Sequence, residues 1–139
     1  MANFKIAFDR TMKHEGGYAN DPDDRGGETY MGVSRKNHPT SSIWKYVDEL
    51  TAQGKSRTAI NTALKKNATV QNIVMILYKQ KYWDVFELDK VKRQSVANEM
   101  FDDAVNRGVG AATKLAKSIF GFRADSKITK EFLIRLQQL

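Results

Sequence analysis

The amino-acid sequence predicts a mainly helical domain with a small β or loop wing after its first helix. Apolar residues recur every three or four positions through most of the chain, which is typical of amphipathic helices. Residues 19–28 (ANDPDDRGGE) interrupt this pattern with turn-forming residues. The 139 residues suit one domain. A chain of this length buries about two-thirds of its unfolded surface, so it needs no disulfide or metal to hold its core.

The elements follow in order from local patterns. Asn3 is positioned to cap a first helix that carries Phe4, Phe8 and Thr11 on one face. Residues 29–34 (TYMGVS) are short and partly β-branched or aromatic, so we expect a small strand or hairpin arm. Helical stripes follow, beginning at Ile43, Ile60, Val70, Ala97, Val109 and Phe132. Thr69 is predicted to cap the helix that starts near Val70.

Composition limits the chemistry that the chain can perform. There is no cysteine, which excludes disulfides, a thiol nucleophile and cysteine-based metal sites. Only two histidines are present, His14 and His38, so a structural zinc site is not expected, and we expect no cofactor. The formal net charge of +7 favours an anionic partner: nucleic acid, an anionic membrane or the bacterial cell envelope.

The N-terminus gives an expectation about location. The stretch MANFKIAFDRTMKHEGG lacks the apolar segment of a secretory signal, because Asp9 interrupts it. No stretch approaches the roughly 18 apolar residues of a transmembrane helix, so we expect no stable membrane insertion. These features predict a protein that is made in the cytoplasm without a signal peptide and is exported or released by another agent.

Glu15 is the leading candidate for a catalytic acid. Positions 4 and 15 differ by 11, and eleven helical steps of about 100° return Glu15 to the face of Phe4. Gly16 and Gly17 would then end the helix, which places the carboxyl group at the negative end of the helix dipole. Burial and the dipole both favour the protonated form, and a glutamate that is protonated near neutral pH suits general acid catalysis.

Asp24 and Thr29 complete the candidate site. They follow Glu15 by 9 and 14 positions, in a glycine-containing turn and at the start of the wing. Glycoside hydrolysis uses a protonated carboxyl group facing an ionised one, and a threonine hydroxyl beside the aspartate can hold a water molecule. This arrangement suits an inverting reaction. Aromatic residues that could stack on sugars are Tyr18, Tyr30, Trp44 and Trp83, although the two tryptophans suit the core better.

Simpler interpretations stay open from the residues alone. A glutamate near a helix end often lies on the surface without a function. The aspartates of residues 21–24 serve equally well as turn formers, and a calcium loop is not supported because the EF-hand spacing is absent. The positive charge also fits a helical nucleic-acid-binding protein, but the basic residues are spread along the chain without a recognition motif. We therefore expect no nucleic-acid partner.

One segment with fixed gaps resembles a family signature. The segment is Glu15-Gly16-Gly17-Tyr18, then Asp21-Pro22-x-Asp24-x-Gly26-Gly27-x-Thr29-x-x-Gly32-Val33. It closely resembles glycoside hydrolase family 108, the lysozyme-like muramidases of phage endolysins and bacterial secretion-associated cassettes. The resemblance continues at Tyr82-Trp83-Asp84 and at Phe101-Asp102-x-Ala104-Val105-Asn106-x-Gly108, so it covers most of the chain.

The resemblance implies a lysozyme-like helical fold and a reaction. The reaction is hydrolysis of the β-1,4 bond between N-acetylmuramic acid and N-acetylglucosamine in bacterial peptidoglycan, without a metal. Glu15 matches the family's catalytic glutamate, and by looser analogy with phage-type lysozymes Asp24 and Thr29 would position the attacking water. The candidate substrate-binding residues are Tyr18, Tyr30, Asp102 and Asn106. For the last two, a cap and packing network is an equal alternative.

We expect one lysozyme-like domain over residues 1–139, with a catalytic lobe at 1–90. Residues 91–139 would form a helical part that resembles a truncated peptidoglycan-binding region. The family's Asp-Gly-x-x-Gly step is absent, because residues 124–129 (ADSKIT) contain no glycine, and the positive surface would then bind the wall. Two routes out of the cytoplasm are possible, release through a holin-made hole and a dedicated secretion route. We expect a monomer that acts in the periplasm or on the cell wall. The alternatives are a non-catalytic wall-binding protein of the same fold and a chitin- or chitosan-cleaving enzyme.

Overall fold

The computed structural model describes residues 1–13, 15–23 and 25–139. Within these ranges the chain forms seven α-helices and one antiparallel sheet of three strands, which confirms the predicted mainly helical fold with a small wing. The helices are α1 (Phe4–Met12), α2 (Ile43–Ala52), α3 (Arg57–Lys66), α4 (Ala68–Tyr78), α5 (Gln94–Arg107), α6 (Val109–Phe120) and α7 (Lys130–Gln138). The strands are β1 (Tyr18–Asn20), β2 (Glu28–Tyr30) and β3 (Val33–Ser34). A π-helical turn (Lys79–Trp83) and two 3₁₀ turns (Asp84–Phe86 and Leu88–Lys90) follow α4.

The chain divides into two compact units. The sheet unit comprises residues 14–77 and contains the three strands, α2, α3 and all but the last residue of α4. The helical unit comprises residues 1–13 and 78–139 and contains α1, α5, α6 and α7. The expected catalytic lobe at 1–90 and C-terminal part at 91–139 stay a prediction.

The sheet unit is built around a short antiparallel sheet in the order β1-β2-β3. Tyr18 is opposite Tyr30 in the β1–β2 pair, and Thr29 is opposite Ser34 in the β2–β3 pair. Trp44 on α2 is buried, and its indole N–H donates to the carbonyl oxygen of His38 at 2.7 Å, so its assignment to the core is confirmed. Other buried side chains of this unit are Val33, Ile43, Val47, Ile60, Leu64, Val70 and Val74.

The helical unit contains an aromatic core between α1, α5 and the π-helical turn. The ring centroid of Phe4 lies 5.5 Å from that of Trp83 and 5.6 Å from that of Phe101, and both pairs meet edge to face. Trp83 is fully buried and its indole N–H donates to Asp89 at 2.8 Å, so it too belongs to the core. Gly108 separates α5 from α6 with φ of +90°, a conformation that side chains with a β-carbon rarely adopt.

Two helix starts test the predicted caps. The carboxamide oxygen of Asn3 accepts the N–H of Lys5 at 2.9 Å, which confirms Asn3 as the cap of α1. The predicted cap of α4 is wrong, because the helix begins at Ala68, one residue before Thr69. Asn67 performs that role, since its side-chain oxygen accepts the N–H groups of residues 69 and 70 at 3.0 and 3.1 Å. None of the helices in the described ranges has the length and apolar character to cross a membrane.

Candidate active site

Glu15 lies beyond the first helix. Helix α1 ends at Met12 with Lys13 as its cap, so the prediction that Glu15 continues the buried face of this helix is wrong. Glu15 is in a bend and its side chain is partly exposed. Strand β1 starts at Tyr18, three residues after Glu15, so the helical conformation has to end before that strand. The glutamate is therefore partly exposed on a short connection that precedes β1.

Asn61 fixes the connection directly after Glu15. Its side-chain oxygen accepts the N–H of Tyr18 at 3.0 Å, and its carboxamide lies against Gly17. A β-carbon on Gly17 would approach the Cγ of Asn61 to 2.7 Å, whereas one on Gly16 would meet nothing within 4 Å. A β-carbon at the second glycine of the pair would therefore force the Asn61 side chain to move. Sequence reasoning missed Asn61, because no local pattern links positions 43 residues apart.

Thr29 is the middle residue of β2 and is partly exposed. Successive side chains of a strand point to opposite faces, so Thr29 points away from its neighbours Glu28 and Tyr30. Those two neighbours face Tyr18, which pairs with Tyr30 across the sheet. The threonine hydroxyl therefore lies on the face of the sheet that Ala19 and Ser34 share.

A charged network lies on the other face of the sheet. The hydroxyl of Tyr18 donates to Glu28, whose second oxygen accepts from Arg35 at 2.8 Å. Arg35 also forms a bidentate pair with Asp48 on α2, with both N···O distances at 2.8 Å. Burial, followed by the hydrogen bond to Glu28, raises the pKa of Tyr18 to about 12. The Arg35 guanidinium holds the pKa of Asp48 below its usual value.

The two predicted aromatic contacts are deeply packed. Tyr18 is 9% exposed and Tyr30 only 1%, and the hydroxyl of Tyr30 accepts from the side chain of Gln71 at 2.9 Å. Burial raises the pKa of Tyr30 as well. A sugar stacks on an open ring face, which these residues do not offer. Their packing supports a role in holding the wing, and the predicted substrate contacts stay a prediction.

Asp102 and Asn106 lie on α5 in the helical unit. One oxygen of Asp102 accepts from the buried hydroxyl of Thr11 at 2.9 Å, and the other accepts from the amide of Asn106 at 3.2 Å. The Asn106 amide also donates to the carbonyl oxygen of Asp102 at 2.9 Å. The predicted pair is thus brought together in a hydrogen-bonded network, and the exposed Asn106 side chain forms its outer end.

Two residues of the predicted motif, His14 and Asp24, lie outside the described residues. The predicted role of Asp24 therefore stays a prediction. Among the residues that the structure describes, no three side chains of histidine, aspartate or glutamate are grouped so that they could hold a metal ion. Glu15, Tyr18, Thr29 and Tyr30 belong to the sheet unit, and Asp102 and Asn106 to the helical unit. Sequence reasoning also missed Glu28 and Arg35, although both lie inside or beside the motif.

Comparisons with known proteins give two findings. The family described as Glycosyl hydrolase 108 matches residues 8–108. Among solved structures, the chain is similar to the structure of Brucella abortus SagA, at 23% sequence identity and a TM-score of 0.61. That likeness covers 98% of this chain and 69% of the SagA chain, and at this identity it shows the fold alone. The curated protein sequences contain no match to this chain.

Proposed function

The chain belongs to glycosyl hydrolase family 108, and from this premise we propose that Glu15 is the general acid with which it cleaves the β-1,4 bond between N-acetylmuramic acid and N-acetylglucosamine. Family membership implies a peptidoglycan hydrolase of the muramidase type. The bond, the stereochemistry and the catalytic residues are the proposal. Its main support is that the match includes the Glu15-Gly16-Gly17-Tyr18 motif and that Glu15 is partly exposed, so a polysaccharide can reach it.

Glu15 would protonate the oxygen of the glycosidic bond as that bond breaks. In this proposal Asp24 removes a proton from a water molecule that attacks the anomeric carbon from the opposite face, and Thr29 holds that water by its hydroxyl group. Water attack on the face opposite the leaving group inverts the anomeric configuration. The placement of Thr29 on the face of β2 that points away from the charged network supports a hydroxyl that is free to meet water.

We also propose Asn106 and Asp102 as substrate contacts. The exposed amide of Asn106 has hydrogen-bonding capacity beyond its contacts with Asp102, and the N-acetyl and hydroxyl groups of the glycan offer matching partners.

The net charge of +7 supports attraction to the carboxylates and phosphates of the cell envelope. We propose action in the periplasm or on the wall as a monomer, after release by a holin-made hole or a secretion route.

The test is the release of new reducing ends from purified Gram-negative peptidoglycan, with product masses identified. The wild-type chain is compared with Glu15→Gln and with Glu49→Gln, a control that removes one exposed carboxylate from α2. We expect products that end in reducible N-acetylmuramic acid from the wild type and the control, and a loss of about 100-fold or more in Glu15→Gln. NMR of the first-formed product then reports whether the anomeric configuration is inverted.

The outcomes separate the proposal from its alternatives. Wild-type sedimentation with insoluble wall and no product would contradict the enzyme assignment and leave a wall-binding protein. Activity on chitin or chitosan that exceeds activity on peptidoglycan would contradict the assigned bond. Full activity of Glu15→Gln would contradict only the assignment of Glu15 as the general acid, and not the assignment of the protein as an enzyme.

A further inference from the structure

Arg35 connects three parts of the sheet unit. It follows β3 directly, and its backbone N–H donates to the carbonyl oxygen of Glu28 on β2 at 2.9 Å. Its guanidinium donates to the side chain of the same Glu28 at 2.8 Å and to both oxygens of Asp48 on α2 at 2.8 Å. The guanidinium carbon also lies 5.7 Å from the centroid of the Trp44 ring. Backbone and side chain of one arginine therefore bind the same strand residue and tie it to a helix.

Glu28 is the residue through which this connection reaches the sheet. Its side chain is 14% exposed, and each of its two oxygens has a partner: Arg35 on one and the hydroxyl of Tyr18 on the other. Tyr18 lies on β1, so the carboxylate links β1 and β2 to the residue that follows β3. Charge-assisted hydrogen bonds to a planar guanidinium are directional. They therefore limit the orientation of the Glu28 side chain as well as stabilising its contact with Arg35.

Thr29 lies between two anchored neighbours. On one side Glu28 is held by Arg35, and on the other Tyr30 is 1% exposed with its hydroxyl bonded to Gln71. Both anchors are on the face of β2 opposite to the Thr29 side chain. A shift of the Thr29 hydroxyl along or out of the sheet would therefore break contacts on both sides of it.

We propose that Arg35 is a positioning residue of the hydrolytic reaction, because through Glu28 it fixes the strand that carries Thr29. This inference rests on the proposed function, in which Thr29 holds the attacking water. Arg35 touches neither substrate nor water in this role. Its loss should lower kcat and leave KM almost unchanged, because water placement affects the chemical step and not the binding of the glycan.

The experiment compares Arg35→Gln with Lys45→Gln, which removes the same charge from an exposed position of α2. We measure kcat and KM on soluble peptidoglycan fragments, Tm, and the methyl resonance of Thr29 in a threonine-labelled sample, assigned with Thr29→Ser. Misplacement of a reacting group by about 1 Å costs on the order of 100-fold. We therefore expect Arg35→Gln to lose about tenfold to 100-fold in kcat, with KM within about twofold of the wild type and a shifted Thr29 resonance.

Two further variants keep the test decisive. Arg35→Lys retains the charge without the bidentate geometry and should give an intermediate kcat, which also serves if Arg35→Gln does not fold. Glu28→Gln with Arg35→Gln should cost little more than either change alone, because both remove the same link. A lowered Tm with unchanged kcat and an unmoved Thr29 resonance would reduce Arg35 to a structural ion pair. A wild-type chain without activity would instead overturn the proposed function itself.

Discussion

The side chain of Asn61 occupies the space that a β-carbon on Gly17 would need. The Cγ of Asn61 would be 2.7 Å from that carbon, and the same carboxamide accepts the N–H of Tyr18 at 3.0 Å. This relationship ties the connection after Glu15 to helix α3. A side chain at the second glycine of the motif would therefore displace Asn61. The backbone next to the proposed acid depends on this one distant residue.

Gly17→Ala should therefore destabilise the fold. The new methyl group forces Asn61 to turn away, and the partly buried N–H of Tyr18 loses its acceptor, at a cost of about 1–3 kcal/mol. Urea unfolding measures this free energy, with Gly16→Ala as a control that meets nothing within 4 Å. Gly17→Ala in an Asn61→Ala background should cost far less, and full additivity of the two changes would contradict the steric explanation.

Tyr18 should lower the stability of the wild-type fold at alkaline pH. Its pKa is raised to about 12 in the folded state from an ordinary value of 10, so the folded protein retains a proton that the unfolded chain releases. The stability from this group is complete below pH 10 and is lost as the pH rises to about 12. Tyr18→Phe should lose less stability than the wild type between these pH values.

The measurement for this prediction is Tm as a function of pH for the wild type and Tyr18→Phe. Tyr46→Phe serves as the control, because Tyr46 is a partly exposed tyrosine of the same unit. Identical alkaline slopes for the wild type and Tyr18→Phe would show that the Glu28 contact does not hold the phenolic proton.

The sequence was sufficient for the elements and insufficient for their connections. The cap at Asn3 depends on local chemistry, so it could be predicted. The position at which α1 ends could not be predicted from the sequence. Helical spacing alone placed Glu15 on the buried face, but α1 ends at Met12 and the chain enters β1 at Tyr18.

The sequence motif supplies the candidate site residues, whose roles stay a prediction, and it does not report contacts between distant positions. The spacing of Glu15 and Thr29 indicated the reaction class, and the family match includes both positions. Asn61 and Asp48 enter through side-chain contacts with residues 43 and 13 positions away, which no local pattern reports. Tyr30 was predicted as a sugar contact because aromatic residues suit both sugars and cores, and only its burial distinguishes the two.

The two ends of the Asp102 network should respond differently to substitution. Thr11→Val removes the bond between a buried hydroxyl and Asp102, so we expect a loss of about 1 kcal/mol in unfolding free energy and an unchanged KM. Asn106→Ala removes the exposed end, so we expect a raised KM and little change in Tm. The measurements are KM on soluble peptidoglycan fragments and thermal unfolding, for both variants. A lowered Tm with an unchanged KM in Asn106→Ala would make the network structural throughout.

The segment between α6 and α7 is held by an ion pair whose lysine is buried and whose aspartate is exposed to solvent. The Lys117 side chain on α6 is 5% exposed, and its ammonium lies 2.5 Å from Asp125 and 6.0 Å from the centroid of the Phe132 ring. The hydrogen bond from Lys117, followed by that from the backbone of Lys127, holds the pKa of Asp125 below its usual value. The ion pair thus connects the 124–129 segment to α6.

Asp125→Asn should lower Tm at neutral pH, because it leaves a buried ammonium without its carboxylate. In the wild type the folded state keeps Asp125 ionised at a pH where the unfolded chain takes up a proton. The stability from this pair is therefore present above the ordinary aspartate pKa of about 4 and is lost as the pH falls below it. Asp125→Asn should accordingly lose less Tm between pH 7 and pH 3 than the wild type or the control Glu131→Gln. Adding Lys117→Met should restore much of the stability of Asp125→Asn, since an apolar side chain of similar length suits the buried position. A double variant no more stable than Asp125→Asn would show that the buried charge is not the source of the loss.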